Sequence, residues 1–255
     1  MLEEVTGDSH ARIIATPDEA LLPSDRQRAE AMVLRRLEGE PIQYVLGNAD
    51  FMSLRLAVSP AVLIPRPETE ELCEHVLRRI HETESPWVLD VGTGSGAIAL
   101  AIKDARPDAT VLAMDVSPEA LEVATSNAAR LGLDVSFIRG DALEPAFADR
   151  APSVFDVIVS NPPYVPRAER ESLQREVRDH EPELALFVDE DPLVFYRALA
   201  GHATRLLRPG GWLIAETHMD FGQAAADVFT EAGLADASIA QDVSGRDRIA
   251  SARKP

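Results

Sequence analysis

From Trp87 to the end of the chain, short apolar runs of strand length alternate with longer runs of helix length. This alternation is typical of a parallel, doubly wound sheet with helices on both faces. The predicted strands lie at 87–91, 110–115, 135–139, 154–160 and 211–216, and the predicted helices at 96–105, 118–131, 191–207 and 221–232. Residues 237–242 and 248–251 are expected to add a closing antiparallel pair. The pattern therefore predicts an α/β domain.

The region before Trp87 follows a different pattern. A helix is predicted over residues 25–38, with Ser24 as its N-cap. Residues 49–64 alternate in the manner of a β-hairpin, and a second helix is expected from Pro67 to about residue 82. The sequence thus predicts a small helical segment and a hairpin before the sheet.

Composition limits the classes of function. The formal net charge is −18, from 25 basic and 43 acidic residues, and such a surface repels phosphate backbones. Cys73 is the only cysteine, and the six histidines show no paired metal spacing, so we expect no metal. No apolar run approaches the roughly 18 residues that cross a bilayer. We expect a cytoplasmic monomer that binds neither nucleic acid nor membrane.

Asn161-Pro162-Pro163-Tyr164 directly follows the predicted strand 154–160. Two prolines cannot continue a central strand, so the chain must turn at the strand's carboxyl end, where open α/β sheets bind ligands. The Asn161 side-chain oxygen and a proline carbonyl are two acceptors suited to an NH2 group, and the Tyr164 ring can pack on a planar group. The four residues alone also fit an ordinary turn with an Asn cap.

A glycine-rich turn follows the first strand of the predicted sheet. Glycines at 92, 94 and 96 allow positive φ and close approach of a ligand, and the helix after them directs its amino-terminal dipole at that ligand. Asp115 ends the next strand, where its carboxylate can accept hydrogen bonds from both hydroxyls of a ribose. Because residues 92–97 also read Gly-x-Gly-x-x-Ala, a dinucleotide remains an alternative to another nucleoside cofactor.

Asp90, just before the turn, favours one of these cofactors. Its carboxylate could pair with a cationic amine, which a dinucleotide lacks and S-adenosylmethionine has. With the Asn161 turn on a later strand, the sequence resembles the class I methyltransferases that methylate amino or amide nitrogens. The resemblance implies S-adenosylmethionine as the cofactor and a seven-stranded, mostly parallel, Rossmann-like sheet.

Two further segments narrow the family. Residues 36–47, Arg-Leu-Glu-Gly-Glu-Pro-Ile-Gln-Tyr-Val-Leu-Gly, and residues 63–70, Leu-Ile-Pro-Arg-Pro-Glu-Thr-Glu, are similar to those of the peptide chain release factor glutamine N5-methyltransferases. The resemblance covers nearly the whole chain. It implies methyl transfer to the glutamine of the release factor's Gly-Gly-Gln motif. The alternatives are a ribosomal-protein glutamine methyltransferase, a nucleic-acid adenine N6-methyltransferase and a non-catalytic binding module.

The resemblance also implies roles for individual residues. The cofactor residues are Gly92, Thr93, Gly94, Ser95, Gly96, Asp115, Ala142 and Asn161. The substrate residues are Asn161, Pro162, Pro163 and Tyr164, of which Asn161, Pro162 and Tyr164 are expected to be catalytic. Residues 64–70 are expected to lie over the cofactor. Glu181-Pro182 also matches the family, without an evident physical role.

The family also implies a division of the chain. Residues 1–48 would form a substrate-docking segment, 49–66 a hairpin linker and 67–255 the methyltransferase domain. The region before Asp25 is shorter than is usual in the family, which indicates either an abridged docking domain or a misplaced start.

Overall fold

The computed structural model describes residues 1–149 and 154–255. Its helices are α1 (Leu2–Thr6), α2 (His10–Ala15), α3 (Pro23–Leu37), α4 (Ile42–Leu46), α5 (Pro67–Arg79), α6 (Ala97–Ala105), α7 (Pro118–Leu131), α8 (Arg175–His180), α9 (Glu183–Leu186), α10 (Val194–Leu206) and α11 (Gly222–Glu231). Its strands are β1 (Asn48–Phe51), β2 (Leu54–Ala57), β3 (Trp87–Val91), β4 (Thr110–Asp115), β5 (Ser136–Arg139), β6 (Phe155–Ser160), β7 (Val165–Pro166), β8 (Phe187–Val188), β9 (Leu207–Glu216), β10 (Ala235–Gln241) and β11 (Asp247–Arg253).

The central sheet has seven strands in the order β10-β11-β9-β6-β3-β4-β5. Strands β9, β6, β3, β4 and β5 pair in parallel, while β11 pairs antiparallel with both β9 and β10. The predicted seven-stranded, mostly parallel sheet is confirmed, including its closing antiparallel pair. Because β3 lies between β4 and β6, the segments that follow these three strands meet at one edge.

The sheet is buried on both faces. Along β6, Val157 and Val159 pack into the core beneath α5 and α6, whereas Ile158 packs into the opposite core with residues of α10 and α11. Successive strand residues point to opposite faces, so a strand covered on both sides reads as an unbroken apolar run. The helices on either face therefore hold the strand ends in fixed positions.

The hairpin β1–β2 is shorter than the predicted alternation at 49–64, since its register runs only from Asn48 with Ala57 to Phe51 with Leu54. Asn127 of α7 attaches it to the sheet domain. The Asn127 side chain accepts from the Ala57 N–H at 2.7 Å and donates to the Ala57 and Ser95 carbonyls at 3.0 and 2.9 Å. One fully buried amide thus joins the hairpin to the glycine turn.

The first long helix begins earlier than its sequence predicted. Pro23 occupies the first turn of α3, and the N-cap is Leu22 without a side-chain cap bond, so the prediction of Ser24 as N-cap is wrong. Proline suits this position because its missing N–H would be unpaired there in any case. No described helix is long and apolar enough to cross a membrane.

Gly96 forms the junction between the glycine turn and α6. It is the N-cap of α6 with φ of 84°, a left-handed conformation. A Cβ at this position would lie 3.0 Å from Leu100 Cδ1 and 3.3 Å from Ala124 Cβ. Gly96 therefore lets α6 and α7 pack closely where the turn ends and α6 begins.

We predict that Gly96→Ala lowers the free energy of unfolding by about 1–3 kcal/mol, because it combines a left-handed backbone with crowding. Urea denaturation at constant pH measures the change. Gly201→Ala is the control: Gly201 is exposed within α10, without positive φ and with open space around its Cβ position. That variant is expected to gain about 0.5–1 kcal/mol. Equal stability of Gly96→Ala and the unmodified protein would contradict this account.

Candidate active site

A cavity of about 430 Å³ opens at the carboxyl ends of β3, β4 and β6. This volume lies within the range of small-molecule sites, and its walls include the apolar side chains of Ile98, Met114 and Leu143. Polar groups enter it from the segments after the three strands. The cavity is therefore the candidate ligand site, at the place that the strand order predicts.

Four of the five predicted residues of the glycine turn line this cavity: Gly92, Thr93, Gly94 and Ser95. Gly92 and Gly94 have φ of 76° and 54°, conformations that glycine adopts readily. Gly96 does not line the cavity. Its glycine requirement comes instead from the packing of α6 against α7, and its ligand contact stays a prediction.

Asp115 lines the cavity at the end of β4. Its Oδ2 accepts from the Gly94 N–H at 2.9 Å, and its Oδ1 accepts from the Ser117 N–H at 2.9 Å. These bonds fix the carboxylate relative to both the glycine turn and the start of α7. Since each carboxylate oxygen has about two acceptor sites, both can still accept a ribose hydroxyl.

Asp90 does not line the cavity, so its predicted pairing with a cofactor amine has no direct contact to support it and stays a prediction. It is fully buried, and its Oδ2 accepts from the Thr93 hydroxyl at 2.6 Å and the Ala99 N–H at 3.2 Å. Its Oδ1 has no partner among the described residues. Burial raises the pKa of Asp90 to about 7. Asp90 therefore supports the glycine turn from beneath.

Ala142 lines the cavity beyond β5. Its carbonyl lies 2.7 Å from the Nε2 atom of His202, a buried side chain whose ring packs edge-on against Phe147. The carbonyl is thus already bonded. A backbone contact to an adenine is left to the Ala142 N–H or to the second lone pair of the carbonyl.

Asn161 lies on the cavity wall, directly after β6. Its Nδ2 donates to Thr69 Oγ1 at 3.0 Å, and no donor from residues 1–149 or 154–255 bonds to its Oδ1. Pro163 also lines the cavity. The asparagine therefore offers a fixed side-chain acceptor beside the glycine turn.

Pro162 and Tyr164 are not on the cavity wall, although sequence reasoning placed both in the site. Pro162 is buried, and the Tyr164 hydroxyl donates to Glu216 Oε1 at 3.0 Å. Burial and the neighbouring Glu216 charge raise the pKa of Tyr164 well above its ordinary value. Tyr164 is therefore a neutral side chain that supports the loop from behind.

Residues 64–70 contribute Pro65, Arg66 and Thr69 to the cavity. Glu181 holds this segment, because its Oε2 accepts from the Ile64 N–H at 3.1 Å and its Oε1 pairs with the Arg66 guanidinium. Its side chain is 1% exposed. Sequence matching identified Glu181 without a role, and the geometry gives it that of an anchor for the segment over the cavity.

Glu216 is a site residue that sequence reasoning missed. It ends β9 and is 1% exposed, and it accepts from Thr69 as well as from Tyr164. The sequence did contain a signal for it. Glu216 is a carboxylate at the end of an otherwise apolar predicted strand, at the edge of the sheet where ligands bind.

We predict that the Asp90 carboxylate makes stability fall as pH rises. Between about pH 4 and 7 the folded protein keeps a proton that the unfolded chain has released, so the free energy of unfolding decreases through this interval. Compared with Asp90→Asn, the unmodified protein should lose about 1–4 kcal/mol between pH 5 and 8, as measured by urea denaturation. Asp18→Asn is the control. Asp18 is exposed, so the free energy of unfolding of this variant should follow that of the unmodified protein from pH 5 to 8. A pH-independent difference for Asp90→Asn would contradict the prediction.

Comparisons with known proteins agree with this geometry. The Methyltransferase domain family model matches residues 83–246, and the PrmC N-terminal domain model matches residues 1–47. Similar relatives include the release factor glutamine methyltransferase of Geobacter sulfurreducens, 39% identical over 99% of this chain and 87% of that protein. That of Moorella thermoacetica is 44% identical over 93% of this chain and 83% of that protein.

Among solved structures, a methyltransferase from Pyrococcus furiosus matches with a TM-score of 0.59 and 17% identity, covering 89% of this chain and 98% of that chain. At this identity the likeness concerns the fold alone. The sequence matches to curated relatives extend over nearly the full chain and include both segments that suggested the resemblance. The chain belongs to the release factor glutamine methyltransferase family.

Proposed function

We propose that this protein transfers a methyl group from S-adenosylmethionine to the side-chain amide nitrogen of the glutamine in the Gly-Gly-Gln motif of peptide chain release factors. One observation carries the proposal. The Asn161 carboxamide is tethered by its Nδ2 to Thr69, while its Oδ1, beside the cavity, receives no hydrogen bond from the part of the chain that the structure describes. An amide NH2 needs such an acceptor to be held in one orientation.

The cavity residues fit S-adenosylmethionine, which supplies an electrophilic methyl group on a sulfonium. Residues 92–95 would hold its methionine part, Asp115 its ribose and the backbone at Ala142 its adenine. Support comes from the cavity volume, from the carboxylate fixed at its wall and from the family match. The dinucleotide alternative has no comparable support, because the family to which the chain belongs consists of methyltransferases.

The reaction depends on orienting the substrate amide more than on a general base. The nitrogen of an amide is a poor nucleophile, since its lone pair is delocalised into the carbonyl. Asn161 Oδ1 would take one hydrogen of the amide and hold its nitrogen towards the methyl group. The Pro162 carbonyl, the second acceptor expected from the sequence, belongs to a residue that does not line the cavity, so the Asn161 contact carries the proposal. This hydrogen bond strengthens as positive charge grows on the nitrogen. The methylated amide is acidic enough to release its proton to water.

The division into a docking segment at 1–48, a linker at 49–66 and a catalytic domain at 67–255 remains a prediction. The match of the amino-terminal family model to residues 1–47 supports its first boundary. Ion pairs attach the amino-terminal segment to the rest: Arg55 with Glu4 at 2.6 Å, and Arg36 with Glu176 at 2.8 Å. The side chains of Ile14, Leu22 and Leu37 are exposed on it and suit contact with a protein substrate. The monomeric state and the lack of nucleic-acid binding are also proposals; the acidic net charge supports the second.

The proposed substrate predicts selective labelling. With cofactor carrying a labelled methyl group, we expect transfer to a purified bacterial release factor and none to ribosomal proteins or DNA. A release factor with its Gly-Gly-Gln glutamine replaced by alanine is the matched control and should stay unlabelled. Label in ribosomal protein or DNA but not in release factor would reject the proposal, and no transfer to any of them would favour a binding module.

We predict that Asn161→Ala lowers kcat by about 10²–10³-fold, the usual effect of losing one preorganised polar contact. The fold and most of the cofactor affinity should persist, because residues 92–95 and Asp115 are unchanged. Rates with release factor and calorimetric titration of the cofactor separate the two effects. Gln174→Ala is the control. Gln174 is exposed and makes no side-chain cap bond, so this variant is expected to react at the unmodified rate. An unmodified rate for Asn161→Ala would reduce Asn161 to a turn residue.

A further inference from the structure

Glu216 is the centre of a hydrogen-bond network behind the Asn161 loop. Its Oε2 accepts from the Thr69 hydroxyl at 2.7 Å, and its Oε1 accepts from the Tyr164 hydroxyl at 3.0 Å. It lies at the end of β9, Thr69 lies in the first turn of α5, and Tyr164 lies in the loop after β6. One buried carboxylate thus joins three elements around the cavity.

The order of donors along this network fixes the orientation of Asn161. A threonine hydroxyl has a single proton, and Thr69 directs it to Glu216. The Thr69 oxygen must therefore act as the acceptor towards Asn161, and it accepts from Nδ2 at 3.0 Å. With the amide nitrogen held at Thr69, the Oδ1 atom occupies the other end of the carboxamide. The charge on Glu216 therefore determines which end of Asn161 is presented as an acceptor.

The surroundings of Glu216 are consistent with a carboxylate that accepts twice. Burial raises the pKa of Glu216 above its ordinary value overall, although the hydroxyls of Thr69 and Tyr164 and the charge of Arg248 oppose this rise and favour the charged form. Arg248 is itself buried and hydrogen-bonds to the Thr217 carbonyl and to Asp242. A buried carboxylate with two hydroxyl donors and a nearby guanidinium has the hydrogen bonds that its charge requires.

We propose that Glu216 is a positioning residue for methyl transfer: through Thr69 it holds the Asn161 carboxamide with Oδ1 available to the substrate amide. Through Tyr164 it also fixes the loop that carries Asn161. The inference rests on the proposed function for its kinetic consequence, whereas the orientation of Asn161 can be measured without turnover.

Three substitutions distinguish this role from a general contribution to stability. Glu216→Gln keeps the shape of the side chain, but its NH2 can donate to the Thr69 oxygen. The Thr69 hydroxyl is then free to donate to Asn161 Oδ1, which would reverse the orientation of the Asn161 carboxamide. Thr69→Val removes the hydroxyl from a side chain of the same shape. Thr69→Ser keeps the hydroxyl and is the matched control.

We expect kcat with release factor to fall by about 10–100-fold in Glu216→Gln and in Thr69→Val, as for a modest misplacement of a reacting group. In Glu216→Gln the KM for release factor and the dissociation constant for S-adenosylmethionine should stay unchanged, and Thr69→Ser, which keeps the hydroxyl, should recover most of the kcat that Thr69→Val loses. In the Asn161→Ala background, Glu216→Gln should have no further effect on kcat, because its influence acts through Asn161. An equal fall in both backgrounds, or a loss of cofactor affinity in proportion to kcat, would overturn the proposal.

The second readout is exchange of the Asn161 side-chain amide protons in ¹⁵N-labelled protein, assigned by their disappearance in Asn161→Ala. We expect a slowly exchanging proton in the unmodified protein and in Thr69→Ser, and fast exchange in Thr69→Val and Glu216→Gln. Unchanged exchange in both of these variants would refute the network whatever the activity. If the unmodified protein transfers no methyl group to release factor but shows the expected exchange pattern, the proposed function fails and the orienting network stands.

Discussion

The parallel pairing of β3 with β6 is the constraint on which the rest of the site depends. Val91 is in register with Ser160, and the Ser160 hydroxyl donates to the Val91 carbonyl at 2.7 Å. Gly92 and Asn161 are the next residues along the two strands, so this register sets the glycine turn beside the Asn161 loop. A slip of one residue would reverse the faces of β6 and remove Asn161 from the cavity.

Buried carboxylates give the site its rigidity. Asp90 accepts from the glycine turn, Glu181 holds the segment over the cavity, and Glu216 joins Thr69 to Tyr164. None of these three side chains lines the cavity. Each one supports either a residue on the cavity wall or the loop that carries such a residue. Such an arrangement suits a reaction whose nucleophile is weak, because rate then comes from holding groups in fixed geometry.

The sequence predicted the sheet well because strands buried on both faces give apolar runs bounded by glycine and proline. It also placed Asp115 and Asn161 at the edge of the sheet where the cavity opens, since one ends such a run and the other directly follows one. It could not predict the partners of Glu216 and Glu181, which lie 147 and 117 residues away in the chain at Thr69 and Ile64. Nor could it distinguish a glycine that lines the cavity from Gly96, because that difference arises from the packing of α6 against α7.

The central claim is that Asn161 Oδ1 accepts from the substrate amide. A crystal structure of the protein with S-adenosylhomocysteine and a peptide containing Gly-Gly-Gln tests it most directly. We expect the glutamine side-chain nitrogen about 3 Å from Asn161 Oδ1, with Asn161 Nδ2 still on Thr69. A glutamine amide bound in the cavity by other acceptors, with Asn161 turned away or bonded only to its own loop, would contradict the account.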